Sequence, residues 1–201
     1  QVKKGHPKAL VALGDFYAGT KQFEKALEQY TLAGQAAPKA AEPFMKRAMV
    51  YSAQKKDDQA LAELKKGYAV VPDSAGLLSR ICQFHIRAKQ PEKAVALCKK
   101  RLDRNPKETF TLNLLGGIYL AQKDYAKAET WFKKAIETNP DWTKPYDNLA
   151  KMYLIQGKTD TAAKELEASL AQNDRNGSAW MLLGSIYEKD RQYDKAADVY
   201  K

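Results

Sequence analysis

Apolar side chains along this chain fall three and four residues apart, in short runs separated by polar turns. Leu10, Leu13 and Tyr17 make one run, followed by Ala26, Tyr30 and Ala33; Leu112, Leu115 and Tyr119 make another, followed by Ala128, Phe132 and Ala135. That spacing places each run on one face of an α-helix. The pattern predicts paired amphipathic helices, each pair a hairpin. Punctuation agrees. Polar turns such as Lys56-Asp57-Asp58 and Lys123-Asp124 separate the runs, Pro43, Pro91 and Pro145 stand where helices would start, and Pro38, Pro72, Pro106 and Pro140 follow second runs. Proline suits the first turn of a helix because the amide it lacks would have no partner there.

The hairpins recur at a fixed interval. Leu13-Gly14, Leu115-Gly116 and Leu183-Gly184 are 102 and 68 residues apart, three and two times 34. Counting position 1 from Pro7 gives repeats 7–40, 41–74, 75–108, 109–142 and 143–176 and a partial sixth, 177–201, with no insertion. Position 4 then reads Leu10, Phe44, Leu78, Leu112, Tyr146, Trp180, and position 11 reads Tyr17, Tyr51, His85, Tyr119, Tyr153, Tyr187. Position 20 is Ala26, Ala60, Ala94, Ala128, Ala162 and Ala196 without exception. A fixed period with one supersecondary unit per repeat is the signature of a solenoid. Alanine at position 20 opposite a small residue at position 8 would let two helix backbones approach closely, with bulk at positions 4, 11 and 24 filling the remaining volume.

A large residue, two intervening positions, Leu-Gly, two more and Tyr, then Ala, Phe or Tyr, Ala and Pro at this period resembles the tetratricopeptide repeat family. The resemblance covers residues 7–201, and repeat 4 carries every signature residue: Leu112, Leu115, Gly116, Tyr119, Ala128, Phe132, Ala135 and Pro140. It implies an all-α fold, a right-handed superhelical solenoid of antiparallel helix pairs forming a single domain over 1–201. Repeat 3 departs most, with Cys82, His85, Cys98 and Arg101 at signature positions. The sixth repeat stops inside its second helix and Gln1 to His6 reads as the tail of a preceding one, so the chain is expected to be truncated at one or both ends.

The resemblance further implies a concave groove lined by positions 2, 5, 6, 9, 12 and 13 of the first helices. In repeats 1 to 3 these include Lys8, Asp15, Glu42, Met45, Lys46, Met49, Arg80, Gln83 and Arg87, a mixed polar lining. From repeat 4 onward the lining turns apolar: Phe110, Asn113, Leu114, Gly117 and Leu120, then Asp147, Asn148, Lys151, Leu154 and Ile155, then Met181 and Leu182. These twelve residues are the candidate partner-binding surface, for a peptide or protein segment. The family's carboxylate clamp, tested on repeats 4 to 6, finds only Asn148 in place, so that mode of binding is disfavoured.

The net charge of +10 changes the picture only locally. Repeat 3 carries nine Lys or Arg against three Asp or Glu, Lys3 and Lys4 add two more positive charges, and the other repeats are close to neutral. The basic residues Lys93, Lys99, Lys100, Arg101, Arg104 and Lys107 sit on and just after the second helix of repeat 3, which the resemblance places on the convex face. That patch could meet an acidic partner, a phosphate backbone or an anionic membrane surface. Nucleic acid is disfavoured as the main ligand, because the groove positions mix both charges and offer few aromatics for stacking.

Cys82 and Cys98 match no zinc or redox spacing, and in an antiparallel hairpin they face each other beside His85. The leading reading is two buried thiols acting as small hydrophobes; a disulfide would need an oxidising compartment, and a metal site is disfavoured by apolar neighbours. No phosphate loop, nucleophile elbow or paired-carboxylate pocket appears, and no cofactor is implied. No stretch of uncharged apolar residues reaches membrane-spanning length. The chain is expected to be a non-enzymatic interaction scaffold, with a structural, self-associating building block using the basic face of repeat 3 as the alternative; its Lys-, Ala- and Gln-rich, regularly spaced style is similar to bacterial tetratricopeptide proteins, envelope-associated ones among them. The same style favours the periplasm or cell envelope over the cytoplasm.

Overall fold

A computed structural model describes residues 5–200; Lys3, Lys4 and the rest of residues 1–4, together with Lys201, lie outside them. Twelve helices and no strand are found among the described residues. They are α1 (Pro7–Gly19), α2 (Phe23–Ala36), α3 (Glu42–Ala53), α4 (Asp57–Val70), α5 (Ala75–Arg87), α6 (Pro91–Arg104), α7 (Thr109–Ala121), α8 (Tyr125–Thr138), α9 (Lys144–Ile155), α10 (Thr159–Gln172), α11 (Gly177–Lys189) and α12 (Tyr193–Val199). The fold is of the all-α helical-repeat class that the 34-residue period implies. Helices α1–α5 belong to one compact unit, residues 1–90, and α6–α12 to a second, residues 91–201. In the first, α1 packs on α2 and α3 on α4, while α2 meets α3 and α4 meets α5. In the second, α7–α8, α9–α10 and α11–α12 form hairpins, joined by α6 on α7, α8 on α9 and α10 on α11; α7 also touches α9.

The turn inside each repeat is the same backbone motif. Position 15 adopts a left-handed conformation throughout: Lys21, Lys55, Lys89, Lys123 and Arg191 have φ of 56° to 60°, and Gly157 has φ of 73°. In each case the amide at position 15 donates to the carbonyl at position 12, and the next amide donates to the carbonyl at position 11, as in Lys123 to Leu120 and Asp124 to Tyr119. This is a Schellman cap, which satisfies carbonyls that the helix end would otherwise orphan. A non-glycine residue there costs roughly 1–2 kcal/mol of steric strain, which the two hydrogen bonds offset. At one place the turn ends two residues earlier than the sequence suggests. Asp57 and Asp58 belong to the first turn of α4, where carboxylates interact favourably with the helix N-terminus.

Alanine at position 20 is buried in all six repeats. Position 8 also approaches position 24 closely. A Cβ added to Gly14 would lie 2.4 Å from the Tyr30 ring, one on Gly116 2.4 Å from Phe132, and one on Gly184 2.4 Å from Tyr200. Glycine is therefore required wherever position 24 carries an aromatic ring. Repeats 2 and 5 combine alanine with leucine instead, Ala48 with Leu64 and Ala150 with Leu166, all four buried. Bulk at one position is traded for bulk at the other, as close packing demands.

Candidate functional site

In the second unit, the first helices α7, α9 and α11 carry the candidate surface. Asn148 Nδ2 donates to Asn113 Oδ1 at 2.9 Å and ties α9 to α7. The Phe110 ring stacks on Trp142, with centroids 6.4 Å apart and planes inclined by 29°. Leu114, Gly117, Leu120, Lys151, Leu154 and Leu182 are half-buried. Ile155 and Met181 are 64% and 71% exposed, among the most exposed large apolar side chains in the chain. A Cβ on Gly117 would touch nothing within 4 Å, so the surface is open there. The arrangement offers apolar area around an amide pair, with the charge of Lys151 beside it, and suits burial of an apolar segment better than acid–base chemistry.

Asp147 is a correction to the sequence reading. It is only 3% exposed, and its Oδ1 accepts from Ser169 Oγ at 3.2 Å and from Asn176 Nδ2 at 3.0 Å. Asn176 also donates to Ser169 Oγ at 2.9 Å and accepts from the Ala179 amide at the start of α11. The carboxylate therefore joins α9 to α10 and the head of α11 rather than facing a ligand. Arg101 is corrected likewise. It is 8% exposed and paired with Glu108, which also accepts from Thr111, so it is no part of an exposed basic patch. Burial resists ionisation of Glu108, but the hydrogen bonds from Arg101 and Thr111 outweigh it and hold the carboxyl below its usual range. Lys93, Lys99, Lys100, Arg104 and Lys107 are exposed. Cys82 on α5 and Cys98 on α6 are both fully buried.

The first unit is lined differently. Lys46 Nζ lies 2.7 Å from both Asp15 carboxylate oxygens, and the Tyr30 hydroxyl donates to Asp15 Oδ1 at 2.7 Å. A second cluster lies behind it: Glu63, 9% exposed, accepts from Arg47 Nε at 2.7 Å and Lys66 Nζ at 2.9 Å. Between α3 and α5, over the α4 residue Leu64, opens a cavity of about 450 Å³ lined by Ala48, Met49, Ser52, Arg80, Gln83, Phe84 and Arg87. The family pattern places Met49, Arg80, Gln83 and Arg87 on the lining, but nothing in the sequence distinguishes them as a pocket. Two arginines seven residues apart on one helix face, with no acid between them, are the available signal.

Two profiles described as tetratricopeptide repeat match the chain, at residues 110–141 and 148–201. The fold is similar to a tetratricopeptide repeat protein of Parabacteroides merdae, at 20% identity over 96% of this chain and 76% of that one, with a TM-score of 0.67. It is also similar to a thermophilic tetratricopeptide protein of Thermus thermophilus, at 20% identity over 90% of this chain and 98% of that one, with a TM-score of 0.65. YrrB, described as a tetratricopeptide protein with an unusual peptide-binding site, aligns at 16% identity over 88% of this chain and 91% of its own, with a TM-score of 0.51. No curated protein matches the sequence. Repeat signature, helix pairing and these likenesses of fold agree on a tetratricopeptide-repeat fold, with the family's profiles matching at residues 110–141 and 148–201. Among the described residues, no helix is long and apolar enough to cross a membrane.

Proposed function

We propose that this protein is a non-catalytic, bacterial interaction scaffold that holds a segment of a partner protein along the first helices of repeats 4 to 6. The observation that carries this reading is the apolar strip around the Asn113–Asn148 pair. Leu114, Leu120 and Leu154 are half-buried and extend to the exposed Ile155 and Met181. Covering a leucine fully is worth about 1.5–3 kcal/mol, so two or three such residues anchor a short segment. Tetratricopeptide repeats commonly serve as protein-binding scaffolds, and YrrB supplies a relative in fold described as binding peptide.

The experiment is capture from native lysate by wild type, by Leu114→Glu with Leu120→Glu, and by charge reversal at Lys99, Lys100 and Arg104, at low and high salt. Loss of partners in the leucine variant alone, with helicity retained by circular dichroism, supports the groove. The exposed lysines and Arg104 favour a second reading, a charged assembly surface through which copies or an acidic partner associate. Loss in the charge-reversal variant or at high salt alone would replace the first reading with this one.

A further inference from the structure

We infer that the cavity between α3 and α5 in the first unit is a second site, taking an aspartate or glutamate side chain of an extended protein segment. This rests on reading the first-helix face as the ligand-bearing one. Arg80, Gln83 and Arg87 follow one another at three and four residues on α5, so they share a face, and Met49 and Ser52 face them at a spacing of three on α3. The two arginine α-carbons stand about 10 Å apart along the helix axis, with Gln83 between them. Lys46 is neutralised by Asp15 and Arg47 by Glu63, but among the described residues neither Arg80 nor Arg87 makes an ion pair. No acidic side chain lines the cavity.

Shape and floor fit the same occupant. The volume of about 450 Å³ accommodates one or two side chains of a segment and lies within the range of small-ligand pockets. Its base is apolar, made by Ala48, Leu64 and Phe84, and its rim is cationic and polar. A glutamate would lay its methylenes on that base and present its carboxylate to guanidinium and amide donors at the rim. Arg87 is held ready for this by the Phe84 ring, whose centroid lies 5.3 Å from the guanidinium carbon. Planar guanidinium groups match carboxylates with two parallel hydrogen bonds, which gives geometric selection as well as charge.

The test uses fluorescence polarisation with four pools of roughly ten-residue peptides, each with uncharged randomised flanks and a fixed central Glu, Gln, Lys or phosphoserine. Wild type is expected to bind the Glu pool about tenfold or more tightly than the Gln pool. That preference should vanish in Arg80→Gln with Arg87→Gln, both exposed positions whose change leaves helicity intact, and persist in Leu114→Ser with Leu154→Ser. Equal binding of Glu and Gln pools, survival of the preference without both arginines, or stronger binding of the phosphoserine pool would each overturn the assignment. If the preference fails but the leucine variant loses the Gln pool, the reading of repeats 4 to 6 stands. If the preference maps to the arginines and the leucine variant loses nothing, that reading falls and the pocket stands. Binding of no pool by any protein overturns both.

Discussion

The two units join successive first helices at closely similar places with different chemistry. In the first, Lys46 on α3 reaches Asp15 on α1 as an ion pair, with Tyr30 completing the contact; in the second, Asn148 on α9 reaches Asn113 on α7 as a neutral amide pair. Around the ion pair the lining is polar and leads to the arginine-rimmed cavity; around the amide pair it is leucine, isoleucine and methionine. Beneath both faces five of the six repeats follow one rule, a glycine against an aromatic ring or an alanine against leucine, and repeat 3 has buried Cys82 and Cys98 at those positions. The difference teaches that packing positions hold the repeat constant while lining positions are free to set ligand chemistry.

The most severe way to break this comparison is to attack what the units share. Gly116→Ala drives a Cβ into the Phe132 ring and should cost about 2–3 kcal/mol by urea denaturation, as should Gly14→Ala against Tyr30. Adding Phe132→Leu to Gly116→Ala recreates the combination found in repeats 2 and 5, and should recover most of the loss in a double-mutant cycle. A cycle showing simple additivity would mean that positions 8 and 24 do not exchange volume.

The buried polar joints come next, because each unit relies on a different one. Asp147→Ala leaves Ser169 and Asn176 short of an acceptor and should destabilise the second unit by about 1–3 kcal/mol. Arg47→Met leaves Glu63 to Lys66 alone and should cost the first unit a comparable amount. Hydrogen exchange resolved by residue would show each loss confined to helices around its own joint. Spread of either loss across the whole chain would contradict this.

A smaller effect is expected at the turns that both units repeat. Lys123→Gly removes a side chain from a left-handed backbone position and should raise stability by about 0.5–1 kcal/mol, while Gly157→Lys should lower it by as much. Thermal unfolding of the pair would show shifts of opposite sign. Identical signs would mean that side-chain contacts rather than backbone strain govern position 15.

The smallest effects are the pH slopes, which should differ in sign. Burial resists ionisation of Glu63, but the hydrogen bonds from Lys66 and Arg47 prevail and hold its carboxyl below the usual range. Its contribution is therefore complete above the unfolded-state pKa and lost as pH falls through the folded one. Glu165 is the reverse: burial raises it, Lys133 opposes and the Glu129 charge adds to the rise. Folding then gains from its protonation at low pH and loses as pH rises through the folded pKa. Glu63→Gln should flatten the acid limb of a stability–pH curve, whereas Glu165→Gln should gain up to about 0.5 kcal/mol at neutral pH and nothing in acid. Parallel changes in the two variants would refute the contrast.

Much of the fold was legible from short-range pattern, and less of the binding surface was. Six alanines at position 20 are buried, and prolines at helix starts and after second helices stand where backbone geometry allows them, because these depend only on period and local conformation. The Schellman turns were hidden because lysine or arginine, not glycine, fills five of the six left-handed positions. Asp147 read as a lining residue since position 5 faces the groove in the family pattern. Only the arrival of Ser169 and Asn176, from 22 and 29 residues further along the chain, takes it out of reach.

The amino-acid sequence by itself determined the helix pairs, their 34-residue period and the small-against-large core, because each repeat states them again in residues a few positions apart. The tertiary structure alone decided which polar residues are spent and which remain available. Asp15, Lys46, Asp147 and Arg101 are engaged by partners, while Arg80 and Arg87 look into an open cavity. The physical reason is reach: a hydrogen bond or ion pair needs its atoms within about 3–4 Å, and that distance is set by how helices stack, not by where residues stand along the chain.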